Sequence, residues 1–216
     1  MNTPFPPYTM LVTGASGALG SVLVSEALAA GWNVVAWDRG TVDVTNDAMV
    51  ERAVAQFHGP IHACVHCVGG IIAGNPIEVS SAEDFMTMYV MNTLSAYIVA
   101  RHLLPHMYKQ GYGSFLAIAS QSVVHPVPNR AAYSASKAAL ASLMSSIAEE
   151  GRPFNVRANT LVPSIIRTPA NLEWASAGQA EDWISPEQLA RTALLVSDPS
   201  NAMSGALIPV FGNIPF

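Results

Sequence analysis

A chain of 216 residues, half of them hydrophobic, can bury one sizeable core, and its length fits a single domain over residues 1–216. A net charge of −5 argues against nonspecific nucleic-acid binding, and only 12% charged residues suggests surface shared within a homo-oligomer. No apolar run reaches the roughly 18 residues of a membrane span, and the start lacks the basic and apolar regions of a signal peptide, so no membrane partner and a cytoplasmic location are expected.

In chain order, residues 10–12 predict a strand and residues 19–30 a helix ended by Gly31. A strand over 33–37 and a short one over 41–44 follow. Asn46 is placed to cap a helix running to 57. Residues 61–68 form an apolar strand, and residues 82–109 one long helix with a bend expected before Pro105. Strand 114–119, helix 132–150 and strand 156–162 come next. A helix opened by Pro186 runs to about 197, and 206–210 is the last strand. Near-continuous apolar strands alternating with helices predict an α/β fold: a single doubly wound parallel sheet, Rossmann-type, with helices on both faces. Neither an internal repeat nor a linker interrupts the pattern.

The first strand runs into VTGASGALG and then a helix. In that order the glycines have a mechanical use: Gly14 for the tight turn, Gly17 for close backbone approach, Gly20 for helix–strand packing. A pyrophosphate would sit on the helix N-terminus, over Ser16, Ala18 and Leu19. The second strand ends at Asp38, where a carboxylate can bind adenosine ribose hydroxyls and repel a 2′-phosphate. NAD is therefore favoured over NADP, although the adjacent Arg39 could accommodate the phosphate.

Ser120, Tyr133 and Lys137 carry the chemistry. Tyr133 and Lys137 are four apart in a helical run and project from one face. A free phenol, with a pKa of about 10, is a poor base near neutrality. A neighbouring ammonium favours the phenolate, and Lys137 is one of only two lysines in the chain. Ser120, at the end of an apolar strand, can orient a substrate oxygen. Cys64 and Cys67 form a C-x-x-C inside a strand rather than at a helix N-terminus. They read as reduced buried thiols, and no metal site is expected.

With these motifs on the page, the chain resembles the short-chain dehydrogenase/reductase family from about residue 10 to residue 213. The resemblance implies hydride transfer between NAD(P) and a small carbonyl or alcohol, with Tyr133 as acid or base. It implies that Asn92 in VMNTLSAY completes a catalytic tetrad by supporting a water and proton relay. Asp43 and Val44 would contact adenine, and Cys67, Val68 and Gly69 would line the cofactor. Pro163, Ile166 and Thr168 would hold the nicotinamide, Ile166 by its backbone and Thr168 by its hydroxyl. It also implies an interface between copies, a dimer or tetramer, built from the helices of Asn92 and Tyr133. Phe85, Met88, Met91, Ala96, Val99, Leu140, Leu143, Met144 and Ile147 are its candidates, with residues 208–216 in a second contact.

The chain departs from the common pattern in three places. The glycine spacing resembles that of extended and atypical members, including dihydropteridine reductases, which generally lack an equivalent of Ser120. His66-Cys67-Val68-Gly69 replaces an asparagine-rich stretch, so His66 is either a proton carrier or a structural group beside the cofactor. The connection between Asp38 and Asp43 lacks a helix. Candidate substrate walls are Ile71, Ile72, Gln121, Ser122, Val123, Val124, Val127 and Ile165, side chains that suit an uncharged, moderately bulky carbonyl or alcohol. Trp174 and Trp183 lie in a segment, 171–184, that is either a short lid or a core or oligomer contact. The alternatives kept open are a dihydropteridine-reductase-like enzyme and a cofactor-binding regulator without turnover. An epimerase of the extended branch would need a larger C-terminal domain than this chain has.

Overall fold

Residues 8–214 are described by a computed structural model; residues 1–7 and 215–216, including the start and the final two positions of the C-terminal segment singled out above, lie outside it. Six parallel strands form one sheet in the order β2-β1-β3-β4-β5-β6. They are β1 (Thr9–Thr13), β2 (Asn33–Trp37), β3 (Ala63–His66), β4 (Gly113–Ile118), β5 (Val156–Pro163) and β6 (Leu207–Val210). Seven α-helices accompany them: α1 (Ala18–Ala29), α2 (Asp47–Ala55), α3 (Ala82–Tyr89), α4 (Ser95–Gln110), α5 (Ala131–Gly151), the short α6 (Pro169–Leu172) and α7 (Pro186–Ser197).

The helix ends follow local chemistry. Asn46 accepts a hydrogen bond from the Met49 N–H at the start of α2. Ser185 and Gln188 form a reciprocal capping box on α7, with Pro186 at its first position. Beyond α4, Gly111 adopts φ 80°, a left-handed end that a side chain would resist.

Alternation along each strand sorts the core onto two faces. Leu11, Cys64, Phe115 and Ala158 pack with α2, α4 and α5, against Val99, Leu103, Leu140 and Met144. Met10, Val12, Val65, Leu116 and Leu161 pack with α1 and α7, against Leu23, Ala27, Leu189 and Ala193. The first crossover places β2 on one side of β1, and the next returns to place β3 on the other. The carboxyl ends of β1 and β3 therefore border a topological switch point, where open α/β sheets take ligands.

Three expectations change. Residues 41–44 are a turn rather than a strand: the Thr41 and Val42 N–H groups both donate to the Asp38 carbonyl, closing the backbone on itself and leaving β2 as the sheet edge. The helix over 82–109 is not uniform: its backbone stays helical but passes through a single π-turn, Val90–Leu94, between α3 and α4. Pro105 sits on the exposed side of α4, where water can solvate the carbonyl it leaves unbonded. Most of the residues assigned to an interface are core of this chain: Met88, Ala96, Val99, Leu140, Met144 and Ile147 are buried within it. The sheet and the neighbouring helices cover more of each helix than an amphipathic reading allows. The large apolar side chains left exposed in this region are Phe85, Met86, Tyr89 and Tyr97.

Candidate active site

The glycine turn is built for close approach. Gly14 has φ 71°, and a Cβ on Gly20 would lie 2.1 Å from the Gly14 carbonyl oxygen, so α1 can meet the turn only without a side chain there. At the start of α1, Gly17 supplies no side-chain cap and the first turn holds no acidic residue. The Gly17 N–H donates to the Gly14 carbonyl at 3.0 Å, which leaves the N–H groups of the exposed Ser16 and Ala18 and the partly buried Leu19 open to an anion. A cavity of about 410 Å³ leads away from Gly14 and is lined by Asp38, Arg39, Asp43, Val44, Val68 and Met91, among others. These features fit a dinucleotide: a side-chain-free cradle for phosphates, then a cleft ending at two carboxylates.

Both carboxylates are held. One Asp38 oxygen, Oδ1, accepts from the Gly40 N–H at 2.9 Å and the Thr41 N–H at 3.1 Å. Asp43 Oδ1 accepts from the Thr45 hydroxyl at 2.7 Å and the Thr45 N–H at 2.9 Å. Those bonds, with Arg39 nearby, hold the Asp43 carboxyl below its ordinary range.

The π-turn carries Asn92 inward until it is fully buried. Its Oδ1 accepts from the Gly70 N–H at 2.9 Å, while Nδ2 donates to the Gly70 carbonyl and to Ser136 Oγ, each at 3.0 Å. Asn92 thus clamps the loop after β3 to α5, on which Tyr133 and Lys137 stand. Gly69 makes room for the junction: a Cβ there would lie 2.8 Å from Asn92 Oδ1 and 2.9 Å from Lys137 Nζ. Lys137 is buried and donates to the Ile118 carbonyl at 2.8 Å. Desolvation lowers its pKa to about 8, opposed by Cys67.

Ser120 follows β4 by two residues and caps the short turn 121–123. Burial raises the Tyr133 pKa, while the neighbouring Ser120 hydroxyl and the charge of Arg130 pull it down. Ser122 donates to Ser120 Oγ from both its N–H and its hydroxyl, at 3.2 Å each. Ser120 and Tyr133 open onto a second cavity, of about 680 Å³. Ile71, Gln121, Ser122, Ile165 and Trp174 all line it, as do Pro163 and Ile166; Val124 and Ile72 do not. Trp174 is half-exposed at the rim with its ring centroid 5.0 Å from that of Trp183, which belongs to the core.

The nicotinamide-side residues are placed unevenly. The Ile166 carbonyl already accepts from the Thr168 N–H and from Asn171 Nδ2, whereas its N–H has no partner among the described residues. The Thr168 hydroxyl accepts from the Asn171 N–H and caps α6, outside both cavities.

His66 is fully buried and structural. Ser95 gives its own proton to the Met91 carbonyl at 2.6 Å, so it accepts from His66 Nε2–H at 3.1 Å. His66 Nδ1 then accepts from the Thr13 hydroxyl at 2.8 Å. Burial, reinforced by Lys137, lowers its pKa to about 3, and both ring nitrogens are occupied, so the ring stays neutral at neutral pH. Cys64 and Cys67 are free thiols; burial raises both, Cys67 to about 12, which leaves them unreactive.

Sequence reasoning missed Ser136, Gly70, Asn171 and Arg130. Ser136 was findable, since it lies between Tyr133 and Lys137 on α5, whereas Arg130, the residue just before α5, takes its place from the loop that precedes it. Gly70 and Asn171 join the site only through loop geometry.

Comparison with known proteins places the chain in a family. The family model described as "Enoyl-(Acyl carrier protein) reductase" matches residues 24–212. The 3-oxoacyl-[acyl-carrier-protein] reductase MabA of Mycobacterium tuberculosis is 28% identical over 233 residues, covering 98% of this chain and 94% of that protein. The 7alpha-hydroxysteroid dehydrogenase of Clostridium sardiniense is 31% identical over 180 residues, covering 78% of this chain and 68% of its own. Among solved structures, a short-chain type dehydrogenase/reductase from Mycobacterium ulcerans superposes with a TM-score of 0.85 at 26% identity, over 97% of this chain and 90% of that one. The chain belongs to the short-chain dehydrogenase/reductase family. Its activity is NAD(P)-dependent oxidation and reduction at carbonyl and alcohol groups, and nothing favours a dihydropteridine-specific or purely regulatory role. Among the described residues, no helix is long and apolar enough to cross a membrane.

Proposed function

We propose that Tyr133 is the acid and base of this enzyme, acting at a carbonyl or alcohol bound in the 680 Å³ cavity. The observation that carries the reading is the meeting of Ser120 and Tyr133 at that cavity, on the side of the molecule that holds the glycine cradle. The nicotinamide, when bound, supplies or accepts the hydride.

In reduction, negative charge develops on the substrate oxygen. Tyr133, kept protonated by burial, gives it a proton while Ser120 donates a hydrogen bond to the same oxygen. The Lys137 ammonium stabilises the phenolate left behind. Oxidation runs the same groups in reverse. Asn92 holds the loop and α5 in register and acts as a positioning residue. Gly14, Ser16, Gly17, Ala18, Leu19 and Gly20 would hold the pyrophosphate, Asp38 the ribose, and Asp43 with Val44 the adenine. Cys67, Val68, Gly69, Pro163 and the Ile166 N–H would border the nicotinamide.

NAD is the proposed cofactor in preference to NADP, because the Asp38 carboxylate is fixed at the cleft by its own turn and would oppose a 2′-phosphate. The working form is proposed to be a cytoplasmic homo-oligomer, with the exposed Phe85, Met86 and Tyr97 as the apolar surface it covers. Turnover of a panel of aldehydes, ketones and alcohols, read by reduced-nicotinamide absorbance with each cofactor, tests the reading. Full activity of Tyr133→Phe would sink it.

A further inference from the structure

The substrate cavity is lined by one charged side chain, and no group among the described residues pairs with it. Arg130 lines the cavity one turn before Tyr133, alongside the apolar Ile71, Val127, Ile165 and Trp174. It is half-buried. Among the described residues its guanidinium makes no ion pair or hydrogen bond, and no carboxylate lines the cavity.

Other arginines differ. Arg101 pairs with Asp47 at 3.1 Å, Arg191 with Glu26 at 3.8 Å, and Arg152 with Glu149. Arg157 donates to three backbone carbonyls. Arg39, Arg52 and Arg167 have no such partner but stand exposed, where water satisfies them. Arg130 alone combines partial burial with a full set of unanswered donors, and a guanidinium has five of them in a fixed fork.

The backbone holds it there. Asn129 adopts φ 64°, its carbonyl accepts from the Gly74 N–H at 2.9 Å, and the Arg130 carbonyl then receives the Ser134 N–H at 2.8 Å as α5 begins. The left-handed residue turns the loop into the helix with Arg130 on the Tyr133 side.

We propose that the physiological substrate is an anionic carbonyl compound or its alcohol, an apolar body bearing a carboxylate, sulfonate or phosphate that Arg130 binds while the reacting carbon faces Tyr133. The inference rests on the hydride-transfer reading of the same site. Arg130 is a specificity residue in this arrangement. Its charge also acts on Tyr133, but that influence is common to every substrate and cancels in a ratio.

The test is binding of benzoate and of uncharged benzamide to the protein with saturating NADH, by calorimetry, in the native chain, Arg130→Gln and Arg130→Lys. Benzoate should bind the native chain about tenfold to a hundredfold tighter than benzamide, the range of one charge-assisted contact. Arg130→Gln should abolish that preference and Arg130→Lys keep part of it. A second arm compares kcat/KM for 4-carboxybenzaldehyde and 4-methylbenzaldehyde, where the preference for the anion should fall in Arg130→Gln by the same factor. No preference in the native chain, or a preference that survives in Arg130→Gln, overturns the inference. Absence of turnover with both aldehydes, beside an Arg130-dependent benzoate preference, would overturn the hydride-transfer reading and leave the anion contact standing.

Discussion

His66 makes the fold acid-sensitive by an amount the structure sets. Folded, the ring is neutral, bonded through both nitrogens, with a pKa lowered to about 3; unfolded, it returns to 6.5. Between those values the unfolded chain binds a proton that the folded chain refuses. Its contribution to stability is therefore complete above the unfolded value and lost as pH falls toward the folded one. From pH 7 to pH 5 the loss from this one residue is about 2 kcal/mol, at about 1.4 kcal/mol per pH unit. Other groups titrate over the same range, so the measurement is a difference. Urea unfolding at pH 7 and pH 5, at one protein concentration, is compared between the native chain and His66→Asn, which cannot titrate. The variant loses hydrogen bonds and should be less stable at pH 7, but the native chain should lose about 2 kcal/mol more than the variant over the interval. The His66 ring protons should also show no titration by NMR between pH 8 and pH 5. Equal losses in both proteins, or a His66 signal titrating near 6.5, would refute the buried neutral assignment.

Tyr133→Phe should cut turnover by about a hundredfold to ten-thousandfold while NADH fluorescence titration shows binding retained, because only the proton donor is removed. Lys137→Ala should impair turnover and cofactor binding together, measured by the same two assays. Alcohol oxidation should rise with pH, since burial keeps Tyr133 protonated and the base form is needed; a profile falling with pH would contradict the assignment. Asp38→Ser should weaken NAD and improve NADP, and a native preference for NADPH in kcat/KM would show Arg39 to dominate. Asn92→Ala leaves the Gly70 N–H and carbonyl without their partner and should lower stability by about 1–3 kcal/mol in thermal melts, together with activity. Light scattering during size exclusion tests assembly: an active monomer of 22.8 kDa at micromolar concentration would remove the oligomer proposal.

Local features were legible in the sequence because their causes are local. A glycine turn between strand and helix, an asparagine that caps α2, a proline that opens α7, and a Tyr–Lys pair one turn apart on α5 each depend on residues a few positions away. The family and the parallel sheet follow from such units in series. Tertiary structure decided the rest, where the partner of a residue lies far along the chain. Residues 41–44 have a strand-like composition, but the turn closed at Asp38 folds them back on the chain instead of along the β2 edge. Helix periodicity cannot say how much of a helix is already covered, so Leu140 and Met144 read as interface although the sheet face buries them. His66 became neutral and fixed only when Thr13 and Ser95 met it from 53 and 29 positions away. Arg130 looks like an ordinary loop arginine in sequence. Its meaning comes from what surrounds it: a cavity with no counter-charge, which only packing can enclose.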